Sequence, residues 1–328
     1  MDDPTAARLP LAPARAGVGR TSVGMFAIVA VIWAFSLLPV GALGAAVGEL
    51  ALRRPLAGAA VAAVAWTASA LLLLVRPVEA GVARLLFRGV RRPGAAELAR
   101  IRPALGRVCR RAGADPARYL LRVQERDQVN AFALGGHVVA VTRVALGLPD
   151  DLLEAVLAHE VGHHRQLHPL ATSLGWWYLL PFTVAELAWR GVGRATRALA
   201  RAFAGLRERA GRIAGGRAVD GVLGLVGLLV LLGALVAVGA ALLVVLCLLW
   251  LPLLVAIRSA RLLGAALSRA GELAADRHAA ELGYGPGLVA VLELFVPEEL
   301  ASAPPRGLAR LLRTHPTCRA RIAALADR

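Results

Sequence analysis

The chain alternates long apolar runs with stretches of shorter hydrophobic period, and the two patterns predict different things. Residues 23–48 form an apolar run beginning VGMFAIVAVIWAFSLLPV, and residues 56–75 form a second run of the length a bilayer requires. The first is too long for the core of a cleavable leader, and a second run follows closely. The pair therefore reads as two membrane helices joined by a turn at 49–55. Residues 170–189 are also apolar, though Pro181 and Glu186 interrupt them. Residues 190–217 carry eight Arg and one Glu with Leu199, Phe203, Leu206 and Ile213 roughly on one side, which predicts an amphipathic helix on a membrane surface. Residues 219–257 are 39 nearly uncharged positions. As one helix they would be about 58 Å long against a hydrocarbon core of roughly 30 Å, so they form one projecting span or a tight helical hairpin.

Shorter periods mark a different region. Leu98, Ile101, Leu105 and Val108 recur at three- and four-residue spacing and predict a helix over 95–112, with Pro103 able to kink it. A strand is expected at 119–123, and AFALGGHVVAV at 131–141 reads as a hairpin turning at Gly135-Gly136. Pro149 precedes a helix over 150–168 that Asp150 or Asp151 can cap. The expected organisation is a disordered tail at 1–22, two membrane helices in 23–75, and the first half of a domain outside the membrane at 76–169. Further membrane segments with the Arg-rich stretch follow at 170–257, then the second half of that domain at 258–328.

Composition supports the membrane assignment. Hydrophobic residues are 58% and charged residues 18% of the 328, where a soluble domain has about 45–50% and about 25%. The formal charge of +16 comes entirely from arginine, since there is no lysine. No nucleic-acid module accompanies that charge, so no nucleic acid is expected as a partner. The arginines instead follow the positive-inside rule. Arg8, Arg15 and Arg20 precede the first span and Arg76, Arg84, Arg88, Arg91 and Arg92 follow the second, which places both ends on the cytoplasmic side. Cys109, Cys247 and Cys318 are widely spaced and contain no CxxC pair, so a disulfide framework is not indicated.

The chemistry centres on His159-Glu160-Val161-Gly162-His163. Residues four apart share a helix face, so both imidazoles can bind one Zn²⁺, and Glu160 beside them can take a proton from water. A shuffled chain of this composition would contain HExxH with a probability of roughly 0.6%. Gln166 and Pro169 stand where the metzincin extension needs glycine and histidine, so the third ligand must come from elsewhere. Glu272 is the best candidate, in Ser268-Arg269-Ala270-Gly271-Glu272-Leu273-Ala274-Ala275-Asp276. Asp276, one turn on, is placed to accept a hydrogen bond from a ligating imidazole. His164 and His168 are also four apart, but lie on another face without an acidic partner and read as solvated or interfacial. His137 reads as a strand residue near the groove and His278 as a surface residue. Trp176-Trp177-Tyr178 reads as an interfacial aromatic belt.

With these residues in view, the chain resembles the M48 peptidases, the family of the HtpX heat-shock proteases and the CAAX-prenyl endopeptidases. Four stretches carry the likeness: Asn130-Ala131-Phe132 with the following Gly-Gly and Val-rich strand, His159–His163, Ser268…Asp276, and Thr314-His315-Pro316…Arg321-Ile322. They occur in the family's order. The resemblance implies a mainly α fold with a small β-hairpin or sheet, a membrane-embedded gluzincin-type metalloprotease with about four hydrophobic segments. It implies that Val138, Val139, Ala140 and Val141 form an edge strand that pairs with extended substrate. It further implies that Asn130 bonds substrate backbone, that His315 stabilises the oxyanion, and that Arg321 supports the site or binds substrate. So few hydrophobic segments favour the HtpX-like branch over the many-span CAAX-prenyl branch.

The expected function is a zinc endopeptidase with one Zn²⁺, embedded as a multi-pass protein in the cell membrane. Its site faces the cytoplasm and acts on membrane or membrane-proximal proteins, with lipid and a protein or peptide substrate as partners. The alternative is a zinc-binding membrane sensor or scaffold without turnover, against which an intact Glu160 argues. A channel with an incidental HExxH lacks paired polar residues within its spans.

Overall fold

The computed structural model describes residues 20–213, 232–233, 258–259, 261–301 and 313–327. The chain divides into two units, one of Met1–Tyr178 with Ala260–Arg328 and one of Leu179–Ser259.

The first unit opens with a helical hairpin. Helix α1 (Arg20–Leu52) and helix α2 (Pro55–Ser69), the latter extended by a 3₁₀ segment Ala70–Leu74, are both long and apolar enough to cross a bilayer. The turn is tight: Arg53 adopts φ 52°, and the Arg54 amide donates to the Gly48 carbonyl at 3.0 Å. Small residues let the two backbones touch. A Cβ on Gly48 would stand 2.8 Å from Gly58 Cα, and one on Gly58 would collide with the Gly44 carbonyl. Indole-to-hydroxyl hydrogen bonds pin the seam further along, Trp33 to Thr67 at 3.0 Å and Trp66 to Ser36 at 2.9 Å. No charged group is used in these contacts, as an apolar solvent demands.

Helix α3 (Arg76–Leu86) leads into a four-stranded sheet: β1 (Val90–Arg91), β2 (Leu120–Gln124), β3 (Ala131–Leu134) and β4 (Val138–Thr142). Its order is β1-β2-β4-β3, with β2 parallel to β4 and the other pairs antiparallel. The hairpin turns at Gly135, where φ is 59°. The edge-strand expectation is overturned here. Val138, Val139 and Ala140 lie on β4, which is hydrogen-bonded on both sides and wholly buried, so the free edge belongs to β3. The reason is non-local: β2 takes the outer side of β4, which a hairpin pattern cannot foretell.

Helix α4 (Ala95–Ala112) buries Ile101, Leu105 and Val108 against helix α5 (Asp150–Arg165), and Pro103 does not end it. Neither Asp150 nor Asp151 caps α5. Pro149 holds the cap position, and Asp150 instead pairs with Arg100 and Arg107. The helix stops at Arg165, short of the expected 168, because Leu167 turns the chain with φ 54°. Helix α6 (His168–Ile213) then begins, and it joins as one helix the apolar and Arg-rich segments expected to be separate. The expected segment 219–257 lies outside the described residues, save for Leu232 and Gly233. Helix α7 spans 261–281, followed by α8 (Gly285–Glu293), α9 (Val296–Ala301) and α10 (Cys318–Ala326). Among the described residues two helices are of membrane-spanning character, in a mainly helical fold with a small sheet.

Candidate metal centre

Helix α5 presents His159 and His163 one turn apart, with Gly162 between them facing α7. A Cβ on Gly162 would lie 3.1 Å from both the Cα and the carbonyl oxygen of Ala275. This close approach brings Glu272 onto the two imidazoles. His159 Nε2 lies 3.1 Å from His163 Nε2 and 3.5 Å from Glu272 Oε2, and His163 Nε2 lies 3.3 Å from Glu272 Oε1. Four tetrahedral ligands at about 2.0–2.1 Å from a zinc-sized ion stand about 3.3 Å apart, so these spacings are the edges of such a tetrahedron. All three residues are buried.

The surroundings fit a bound cation. His159 Nδ1 reaches Asp276 Oδ1 at 2.8 Å, and Arg321 grips Asp276 with two hydrogen bonds of 2.6 and 2.7 Å. Burial opposes a proton on His159, but its hydrogen bonds to Asp276 and Glu272 prevail and raise its pKa to about 9. Burial likewise opposes ionisation of Glu272, yet its contacts with His159, His163 and His315 hold it well below the usual carboxylate range. The pocket thus concentrates negative charge where the three donor atoms converge, and a divalent ion meets that demand better than a shared proton. Glu160 is different. Burial pushes its pKa upward, and its buried Oε2 has no partner among the described residues. A carboxylate so placed is a stronger base than one in water.

The remaining expected residues distribute around this centre. His315 is exposed, with Nδ1 2.9 Å from Glu272 Oε1, and that contact raises its pKa. Arg321 also lies 3.4 Å from Glu272 Oε2, so its guanidinium faces both Glu272 and Asp276. Asn130 sits at the entrance of β3, where its backbone N–H donates to the Thr142 hydroxyl at 3.0 Å. A cleft of ≈ 630 Å³ joins Asn130, strand β3, the metal centre and His315 with apolar walls that include Trp176 and Phe295.

Several histidines and aromatics depart from expectation. His164 is buried, not solvated, and its Nε2 lies 3.0 Å from the Val138 carbonyl; His278 is buried rather than on the surface. Burial lowers both to a pKa of about 4. Trp177 and Tyr178 pack on Trp66 instead of forming a belt, and Trp176 alone of the three stays exposed, beside the cleft. His137 lies in the turn, against Glu79 at 3.1 Å.

Sequence reasoning missed Glu79. Buried on α3, it accepts a 2.6 Å hydrogen bond from the Gly136 amide, while Ser173 of α6 accepts one from Gly135. Together they clamp the turn that carries β3. The only signal was an acidic residue close behind an apolar span.

The model of peptidase family M48 matches residues 95–328. The chain belongs to peptidase family M48. This M48 chain is 40% identical over 93 residues to a protein named Protease HtpX homolog from Aeropyrum pernix, a stretch covering 26% of this chain and 28% of that relative. A structural likeness to Ste24p of S. mikatae covers 92% of this chain and 63% of that one, at 16% identity and a TM-score of 0.44.

Proposed function

We propose that the chain is a zinc-dependent endopeptidase of the membrane, with His159, His163 and Glu272 as metal ligands and Glu160 as general base. The observation that carries this reading is the tetrahedral spacing of the three donor atoms beside a buried, unpartnered carboxylate. Two imidazoles and one carboxylate with a neighbouring Glu favour zinc over magnesium or calcium, which prefer all-oxygen sites. Zinc held here supplies Lewis-acid polarisation of the scissile carbonyl. Glu160 takes the proton from the attacking water and passes it to the leaving amine nitrogen. His315, with Nδ1 on Glu272, offers Nε2 to the developing oxyanion. Asp276 orients His159, and Arg321 holds Asp276.

Substrate is taken as an added strand on β3. By the alternation of antiparallel pairing, Asn130 pairs with Thr142 and Phe132 with Ala140, so the backbone groups of Ala131 and Ala133 point away from β4. Ala133 N–H and C=O are thereby offered along the cleft. Two candidate spans and the arginines that flank them support a multi-pass protein with its site on the cytoplasmic side, acting on membrane or membrane-proximal proteins.

The test is cleavage of an unfolded model protein by the purified chain in detergent, beside Glu160→Gln with zinc content measured. The expected result is cleavage by the native chain and a loss of about 10²–10⁴-fold in the variant with zinc retained. Zinc binding without cleavage by either form would sink the protease reading and favour a sensor or scaffold.

A further inference from the structure

A second polar site lies on the opposite face of the sheet from the metal centre. Along β2, Val123 points into the core shared with α4 and α5, while Leu120 packs with Ala83 of α3. Alternation therefore sets Arg122 on the α3 side. Arg122 is only 6% exposed, and its Nε is buried with no partner. The one hydrogen bond of its side chain among the described residues is from Nη1 to the carbonyl of its neighbour Leu121, at 2.8 Å.

A buried guanidinium is ordinarily matched by a carboxylate. Here the carboxylates of the region are engaged elsewhere. Glu97 and Glu125 are both held by Arg91, at 2.7 and 2.6 Å, and Glu79 is turned to the Gly136 amide and His137. What lies beside Arg122 instead is more positive charge: Arg92, the residue after β1, falls opposite it in the β1–β2 register, and Arg84 follows Ala83 on the helix that packs this side of the sheet; their charges add to burial in lowering its pKa. Both are exposed, and neither side chain has an ion pair among the described residues. Three arginines on one side of the sheet without an anion leave a charge unmet, and their planar N–H forks suit phosphate oxygens.

We propose that Arg84, Arg92 and Arg122 bind the phosphate of an anionic phospholipid headgroup. The choice of lipid over free phosphate follows from position. Helix α3 starts at Arg76, directly after the candidate span Pro55–Leu74, and Arg84 lies at most about 12 Å of helix beyond that start. That is the depth of a headgroup layer and its immediate border. This assignment rests on the reading of the chain as a membrane protein but not on its being a protease.

The experiment titrates the full chain, in neutral detergent with a chelator present so that no turnover is involved. Probes are dioctanoyl phosphatidylglycerol, dioctanoyl phosphatidylcholine and inorganic phosphate, and bound ligand is counted by native mass spectrometry. The expected result is one saturable phosphatidylglycerol that weakens at least tenfold in an Arg84→Ala/Arg92→Ala double variant and falls with added salt. Arg122→Met should lose the same binding while its lipid-free melting temperature is kept or raised, since a buried unpaired charge has been removed. Equal binding by the double variant, or by phosphatidylcholine, would overturn the site. Binding of inorganic phosphate as tight as that of phosphatidylglycerol would overturn the lipid as its occupant. A fall in the lipid-free melting temperature of Arg122→Met, with phosphatidylglycerol binding intact, would make Arg122 a structural residue only.

Discussion

The molecule uses the same device twice, in the α1–α2 hairpin and at the contact of α5 with α7, to different ends. In both, a missing Cβ lets two helix backbones approach: Gly48 against Gly58 in the hairpin, Gly162 against Ala275 beside the metal centre. The hairpin seam carries no charge, and its polar contacts are indole-to-hydroxyl hydrogen bonds. The α5–α7 seam carries charge instead, with Glu272 and Asp276 buried around two imidazoles and the half-buried Arg321 closing on them. In the first, close approach contributes packing; in the second it sets the distance between Glu272 and the two imidazoles. A small helix displacement should therefore cost stability in one place and metal affinity in the other.

The sharpest way to break this comparison is a pair of added methyl groups. Gly162→Ala forces α7 outward by tenths of an ångström and takes Glu272 with it, so zinc affinity should fall by about 10–100-fold, measured by competition with a chelator. Gly58→Ala meets backbone that cannot yield. It should destabilise the hairpin by about 1–3 kcal/mol with zinc affinity unchanged. If Gly58→Ala also weakened zinc, the seams would be one cooperative unit. The Ser22 hydroxyl donating to the Gln166 carbonyl at 2.6 Å, and Gly24 beside Leu267, would be the links.

Asp276→Asn sharpens the charged side. It keeps the shape but removes the carboxylate that both His159 and Arg321 use, and zinc should bind about tenfold more weakly with the fold intact. A smaller effect is expected at the edge strand. Ala133→Pro deletes an outward N–H without removing a β4 bond, so kcat/KM should fall about 3–10-fold, the worth of one hydrogen bond. Phe132→Pro, which breaks the Phe132–Ala140 pairing, should unfold the hairpin instead.

The smallest effect concerns acid. Burial holds His278 neutral, with a pKa of about 4 in the folded chain against the usual 6.5. Its contribution is complete above about pH 6.5 and is lost as pH falls from there towards 4, because only the unfolded chain takes up the proton. With a chelator present to remove the metal's own acid sensitivity, the melting temperature of His278→Leu should fall less steeply between pH 7 and 5 than that of the native chain.

How much of this was legible beforehand depends on the range of the interaction. Helix α4 occupies 95–112 as its apolar period predicts, and the two spans and the Gly-Gly turn fall where local pattern puts them. Local pattern could not tell which strand of the hairpin is the edge, since β2 decides that by pairing Leu120 with Val138 and Gln124 with Thr142 across the intervening chain. Nor could it show that His278 is buried or that His164 meets the Val138 carbonyl, because a histidine's surroundings come from other elements. Arg321 was open between supporting the site and binding substrate, and its two hydrogen bonds to Asp276 are a tertiary outcome.

The sequence by itself determined the membrane helices, the helix bearing HExxH, and the short list from which a third ligand could come, because each rests on spacing along one segment. Tertiary structure alone decided the spacing of His159, His163 and Glu272, the free edge at β3, Glu79's hold on the turn, and the unmatched arginines beside α3. Each depends on how closely two distant backbones approach, and no period along the chain encodes that distance.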